Sequence, residues 1–346
     1  MKKFISQMID SYALNKLHKK KSKSSHYRVI TGEANGIEKQ KQFLKLHNIP
    51  HLDFLKSREE GLYTIGTFRY PSLVETEWEC NNVVVGKYFN VKEKDHDFSD
   101  SYRKDRKDRK DRKDRKDKVS VIMVHGWRSE GFRHFDKLFL QDFRDKEFDI
   151  FYYTLPYHLD RQPPNSLYSG EYMISADVEG TLQAIQQAVV DLRALVQWIK
   201  KNKGGKVFLI GLSLGGFITN LTATIEADID GLVSIMYANA LSFSIWKTPP
   251  GKYIKKDLVN NKFTYEKLIN YWNIIDPSNY PPLLAKEKIL LISGKYDRYV
   301  WLEDTNKLWS KWQQPKRILY NCGHAGIVLC RKQIRKDVIN FVDKLI

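Results

Sequence analysis

No apolar run in this chain approaches the ~20 residues needed to cross a bilayer as a helix, so a membrane-spanning helix is not expected. Cysteine is scarce. Cys80, Cys322 and Cys330 form an odd set without framework spacing, which argues against a disulfide scaffold and fits a reduced, cytoplasmic setting. The spacings C-x-x-C and H-E-x-x-H are absent, so no metal site and no cofactor is expected. Met1-Lys2-Lys3 resembles the start of an export signal, but Gln7 and Asp10 interrupt the apolar stretch such a signal needs.

Acid is also in short supply, leaving a net charge of +17. The excess is local. Residues 1–25 and 103–118 each carry +6, which leaves an ordinary +5 for the remainder. No motif interleaves aromatic and basic residues, so a nucleic-acid partner is not expected. The triplet Arg-Lys-Asp, repeated five times over 103–117, has a period of three that suits neither a helix face nor a strand. It reads as a solvated loop or frayed charged helix within 98–118, inserted between two strands.

What is present is a large core: 346 residues, 42% hydrophobic and 13% aromatic, enough for one domain with insertions. The most informative stretch is Gly211-Leu212-Ser213-Leu214-Gly215-Gly216, which directly follows the apolar run Val207-Phe208-Leu209-Ile210. It reads as a buried strand, a tight turn with a serine at its apex, and a helix. Glycines two before and two after the serine permit that turn. The helix start aims N–H groups where negative charge develops in acyl transfer. Ser213 is therefore the candidate nucleophile.

A serine hydroxyl needs a base, and the base needs an orienting acid; in such an architecture they follow in the order Ser, acid, His. Lys288 to Gly294 reads as a strand followed by Asp297, and Lys316 to Asn321 as another followed by Cys322-Gly323-His324-Ala325-Gly326. Asp297 is the candidate acid and His324 the candidate base. Asp297 also suits a plain turn aspartate, His324 a helix cap, and Asp276 before Pro277 is a rival acid that reads better as a turn starter. The strand Val119–Val124 runs into His125-Gly126-Trp127. The turn there is expected to lend the backbone N–H of Trp127 to an oxyanion site shared with that of Leu214. The His125 side chain is expected to hold the turn by hydrogen bonding.

Together HGW, GLSLGG, GKYD and CGHAG, each after its own strand, resemble the α/β-hydrolase superfamily from about residue 61 to the C-terminus. Leu155 to Pro163, with Ser169-Gly170-Glu171, is similar to a bacterial branch related to the abhydrolase-domain-containing-eighteen-like proteins. The resemblance implies an α/β-hydrolase fold: a mostly parallel central sheet flanked by helices, with a small cap and an N-terminal helical extension. It implies Ser213 as nucleophile, Asp297 as acid, His324 as base, and Trp127 and Leu214 as backbone donors. HGW departs from the glycine-rich HGGG pattern and leaves a bulky indole near the acyl site.

The expected organisation is a helical extension over 1–60 and a hydrolase domain over 61–346, with a cap over 241–285. Within it, Gly61–Tyr70 and Val83–Phe89 read as antiparallel strands and Asp177–Lys200 as a long crossover helix. In the first helix Phe4, Ile5, Met8, Ile9, Tyr12 and Leu17 share one side. That pattern fits docking on the domain, or peripheral contact with a membrane surface. Tyr157 and Arg161 are expected at the mouth of the site, Arg161 as an anchor for a substrate carboxylate or phosphate, or else in a structural ion pair. Trp246 and other cap aromatics are candidates for lining an acyl pocket, though packing of the cap accounts for several equally well. The expectation is a serine hydrolase that cleaves a small-molecule or lipid ester, or a thioester, through an acyl-enzyme. The alternatives are a lipase at a membrane surface, a serine peptidase, or a binding protein of the same fold.

Overall fold

The computed structural model describes residues 2–21, 28, 36–92 and 118–346. The Arg-Lys-Asp repeat and its expected loop therefore lie outside the described residues. At the centre is a nine-stranded sheet in the order β1-β2-β3-β5-β4-β6-β7-β8-β9. Strands β4 (Val119–Val124), β5 (Asp149–Tyr153), β6 (Lys206–Leu212), β7 (Gly231–Ile235), β8 (Ile289–Gly294) and β9 (Lys316–Tyr320) run parallel. β1 (Asp53–Glu60), β2 (Tyr63–Pro71) and β3 (Val83–Val91) extend it as an antiparallel wing, and β3 joins β5. Every residue of β4, β5, β7 and β8 is buried. This is why these strands read as largely apolar runs that do not alternate, broken only by Ser120, Asp149, Ser234 and Ser293: helices cover a parallel sheet on both faces.

β1 departs from the helical extension expected over 1–60. Its sequence, Asp-Phe-Leu-Lys-Ser-Arg-Glu-Glu, alternates no apolar face, because the strand is an exposed edge. Charge and a register shift between Lys56 and Arg58 are devices that stop an edge strand from recruiting another chain. Glu60 also pairs with Arg144, 2.7 Å away.

Two cores sandwich the sheet. One packs the long helix α3 (Val178–Asn202) and α4 (Leu214–Ala223) on one face. The other packs Phe132, Phe135, Phe139, Phe143 and the C-terminal helix (Arg331–Asp343) on the opposite face. The helix α3 begins where the carboxylate of Asp177 accepts the Gly180 N–H at 3.2 Å, satisfying an end donor that would otherwise lack a partner. After β7, three short helices (Leu241–Lys247, Lys252–Asn260 and Tyr265–Trp272) occupy the interval expected for the cap. Among the described residues no helix is long and apolar enough to cross a membrane.

Helices α1 (Lys2–Lys19) and α2 (Ile37–Phe43) precede β1, and α1 docks on the domain the opposite way round from its apolar pattern. Ser6 and Asp10 are buried, while Phe4, Met8 and Tyr12 are 69%, 57% and 75% exposed. The reason lies beneath the helix, where the backbone N–H groups of residues 323–326 donate to the Ser6 hydroxyl and the Asp10 carboxylate.

Candidate active site

Ser213 sits between β6 and α4 with φ 57° and ψ −115°, a strained conformation for a residue with a side chain. Two glycines make the turn sterically feasible. A Cβ on Gly211 would come within 2.4 Å of the Gly215 carbonyl oxygen, and one on Gly215 within 1.9 Å of the Val124 carbonyl oxygen. The Ser213 N–H donates to Ile235 O at 2.8 Å, tying the apex to β7. Leu214, Gly215 and Gly216 open the helix, so their N–H groups have no acceptor within it.

Two loops from neighbouring strand ends converge on this serine. His324 Nε2 lies 2.9 Å from Ser213 Oγ, and His324 Nδ1 lies 2.8 Å from Asp297 Oδ2. The other oxygen of Asp297 accepts the N–H groups of Tyr299 and Val300, each at 2.8 Å. Asp297 is therefore both the turn aspartate and the partner of the imidazole. Its side chain is 2% exposed and that of His324 14%. The Tyr299 ring stacks on His324, with centroids 4.9 Å apart and planes at 12°. Burial pushes the His324 pKa down, but the charge and hydrogen bond of Asp297, with Asp10 adding to them, outweigh it and hold the pKa above its ordinary value.

The turn after β4 abuts the serine: a Cβ on Gly126 would lie 3.2 Å from Ser213 Cβ. His125 is buried and braces this turn, with Nδ1 2.9 Å from the Gly126 carbonyl oxygen and Nε2 accepting the Leu155 N–H at 3.2 Å. The Trp127 indole donates to Gly170 O at 2.8 Å, which turns the bulky ring towards the neighbouring loop. The backbone of Leu214 follows Ser213 directly at the helix start.

Several candidates fall elsewhere. Arg161 is wholly buried and pairs with Asp191 at 3.0 Å; it also donates to Asn81 O and Thr154 O. It has no access to a substrate, so its expected place at the mouth is corrected to a structural ion pair. Tyr157 is likewise buried, packed edge-on against Tyr172, and is a core residue. A turn after a strand end reads alike in sequence whether it faces solvent or folds inward, and this one folds inward. Trp246 is half-buried in the cap and stacks on Tyr265 at 5.8 Å. Asp276 starts a short turn, accepting from Ser278 and pairing with Lys307 at 2.8 Å. Cys322 is buried, and burial with the neighbouring Cys330 pushes its thiol pKa well up.

One participant had almost no sequence signal. Asp10, from α1, accepts N–H groups of His324, Ala325 and Gly326. In the sequence it stands out only as a break in the apolar N-terminal stretch and as the sole acidic residue among residues 1–25, neither of which points to the site.

With this geometry in hand, comparisons place the chain among known proteins. The uncharacterised protein YdjC of Bacillus subtilis is 53% identical over 116 residues, which is 33% of this chain and all of that protein. An uncharacterised protein of Mycobacterium tuberculosis H37Rv is 28% identical over 187 residues, spanning 51% of this chain and 42% of its own length. Among solved structures, an acetyl xylan esterase from Paenibacillus sp. R4 is similar with a TM-score of 0.63 at 10% identity, covering 89% of this chain and 93% of its own. An acylaminoacyl peptidase of Pyrococcus horikoshii is similar at a TM-score of 0.54 and 13% identity, over 82% of this chain and 42% of its own. At such identities these structures speak for the fold alone. The sequence model of the alpha/beta hydrolase family matches residues 121–331, from β4 to the start of the last helix and so across every loop that meets at Ser213, and the chain belongs to that family.

Proposed function

We propose that this protein is a serine hydrolase that cleaves a carboxylic ester or thioester through an acyl-enzyme. One observation carries the reading: the relay Ser213 Oγ, His324, Asp297, with contacts of 2.9 and 2.8 Å. Ser213 Oγ forms a bond to the carbonyl carbon while its proton passes to His324 Nε2. Asp297 holds the Nδ1 proton and steadies the imidazolium. The N–H groups of Trp127 and Leu214 receive the oxyanion, each such donor contributing about 3 kcal/mol in the transition state. Collapse breaks the bond to the leaving oxygen or sulfur, which takes the proton from His324. A water molecule, deprotonated by the same imidazole, then releases the acid and restores the serine.

The test is turnover of a p-nitrophenyl acyl ester, together with labelling by a fluorophosphonate probe. Ser213→Ala should lower turnover by several orders of magnitude and abolish labelling while leaving the fold intact. Unchanged turnover in a folded Ser213→Ala protein would refute the assignment.

A lipid ester met at a membrane surface is the second reading. Phe4, Met8 and Tyr12 are exposed on α1 beside exposed Lys3, Lys16 and Lys19, a combination suited to an anionic interface. Co-sedimentation with anionic vesicles, compared with neutral ones, tests it.

A further inference from the structure

α1 turns its polar side inward because of what lies beneath it. The loop that carries His324 presents a run of buried backbone N–H groups, and such groups need acceptors. Asp10 supplies them. Its Oδ1 accepts the N–H groups of Ala325 at 2.9 Å and Gly326 at 3.2 Å. Its Oδ2 accepts those of His324 at 3.0 Å and, from the loop of Asp297, Arg298 at 3.4 Å. The Ser6 hydroxyl accepts the Gly323 N–H. One carboxylate thus fastens the loop of the base to the loop of the acid.

The glycines around His324 make room for this contact. A Cβ on Gly323 would lie 2.2 Å from Asp10 Oδ2, and one on Gly326 2.2 Å from Ser6 Oγ. The Tyr299 hydroxyl donates to the Asp10 carbonyl oxygen at 3.1 Å, and its ring is the one stacked on His324. At the other end of α1, Arg128, from the turn after β4, donates to the carbonyl oxygens of Leu17 and Lys20. The helix therefore bridges the turn beside Ser213 and the loop that carries the imidazole.

We propose that Asp10 is a positioning residue of the site, its buried carboxylate holding the His324 loop in register with Asp297 and Ser213. The proposal rests on the serine-hydrolase reading above. A carboxylate suits the task because hydrogen bonds to an ionised acceptor are roughly twice as strong as neutral ones. The groups facing it are Asp297, Arg298 and Tyr299 from the acid loop and His324 from the base loop; Lys3, on α1 itself, lies over Tyr296. The negative charge of Asp10 also favours the protonated imidazole of His324.

The experiment compares wild type, Asp10→Asn, Asp10→Glu and Ser213→Ala by three readouts. These are kcat and KM on a p-nitrophenyl acyl ester, thermal melting, and an NMR titration of the His324 imidazole that needs no substrate. Asp10→Asn should lower kcat roughly 10- to 100-fold, with KM within about twofold and the His324 midpoint moved to lower pH. A folded Asp10→Asn protein with wild-type kcat and an unmoved midpoint overturns the proposal. So does a loss of kcat that merely tracks the unfolded fraction. If Asp10→Asn does not fold, Asp10→Glu decides: charge is kept but the oxygens are displaced by one methylene, so kcat should fall while the midpoint stays near wild type, and full kcat overturns the proposal. A wild type that neither turns over ester nor labels at Ser213, yet shows the Asp10-dependent midpoint, sinks the hydrolase reading alone. Turnover that depends on Ser213 but is indifferent to Asp10 sinks this proposal alone.

Discussion

The guanidinium of Arg161 lies 3.0 Å from the carboxylate of Asp191, and neither side chain has any exposure. Asp191 also accepts from the Ser72 hydroxyl and the Leu73 N–H, so the pair locks the segment after β2, the helix α3 and the turn after β5 to one another. Burial pushes the Asp191 pKa up against the opposing pull of Arg161. Arg161→Ala strands a buried carboxylate and should cost about 3–5 kcal/mol, read by chemical denaturation. The double change Arg161→Met with Asp191→Leu should cost far less. A substrate anchor would instead raise KM and leave stability untouched.

Gly215 faces the Val124 carbonyl oxygen across the turn, and a Cβ there would meet it at 1.9 Å. The obstacle is backbone, which no rotamer change relieves. Gly215→Ala should therefore destabilise the fold by at least about 1–3 kcal/mol and displace Ser213. The combination to look for is a lowered melting temperature with strongly reduced fluorophosphonate labelling in the fraction that remains folded.

The pH dependence of turnover follows from His324, whose folded pKa is raised above 6.5. The imidazole must be neutral to accept the serine proton, so kcat/KM should fall on the acid side with a midpoint above that ordinary value. Asp297→Asn removes the principal group that raises it. The acid limb should then move to lower pH, and kcat should drop by about 10³–10⁴-fold. A kcat/KM profile from pH 5 to 9 for the two proteins checks both shifts.

Much of this arrangement is visible in the chain because physics writes it locally. Val207–Ile210 is an unbroken apolar run, and Val119–Val124 and Ile289–Gly294 are interrupted only by Ser120 and Ser293, since both faces of a covered parallel sheet are dry. Glycines at 211 and 215 are required by close backbone approach, so the turn at Ser213 has its own spelling. Asp297 and His324 stand out by following later strands in order. What stays hidden is tertiary. β1 is an exposed edge and carries charge instead of alternation. Asp10 sits in a helix whose apolar side is the wet one, because four N–H donors from distant loops decide the orientation. Arg161 looks like any surface arginine until Asp191 is placed beside it.

His125 and His158 are both fully buried, with ring centroids 4.9 Å apart. Each is engaged by backbone: the Leu155 N–H donates to His125, and the Arg128 N–H to His158. Burial drives the His125 pKa down from 6.5 to about 4, and that of His158 well below 6.5. A base whose folded pKa is depressed stays neutral in the fold while the unfolded chain takes up a proton. Its contribution to stability is therefore present above pH 6.5 and is lost as pH falls from there towards about 4 for His125. Wild type should lose melting temperature between pH 7 and pH 5. His125→Gln should melt lower at pH 7 yet lose less over the same interval, because its amide has no proton to gain. Thermal denaturation of both proteins at the two pH values measures the difference directly, and equal losses would assign the acid sensitivity to other groups.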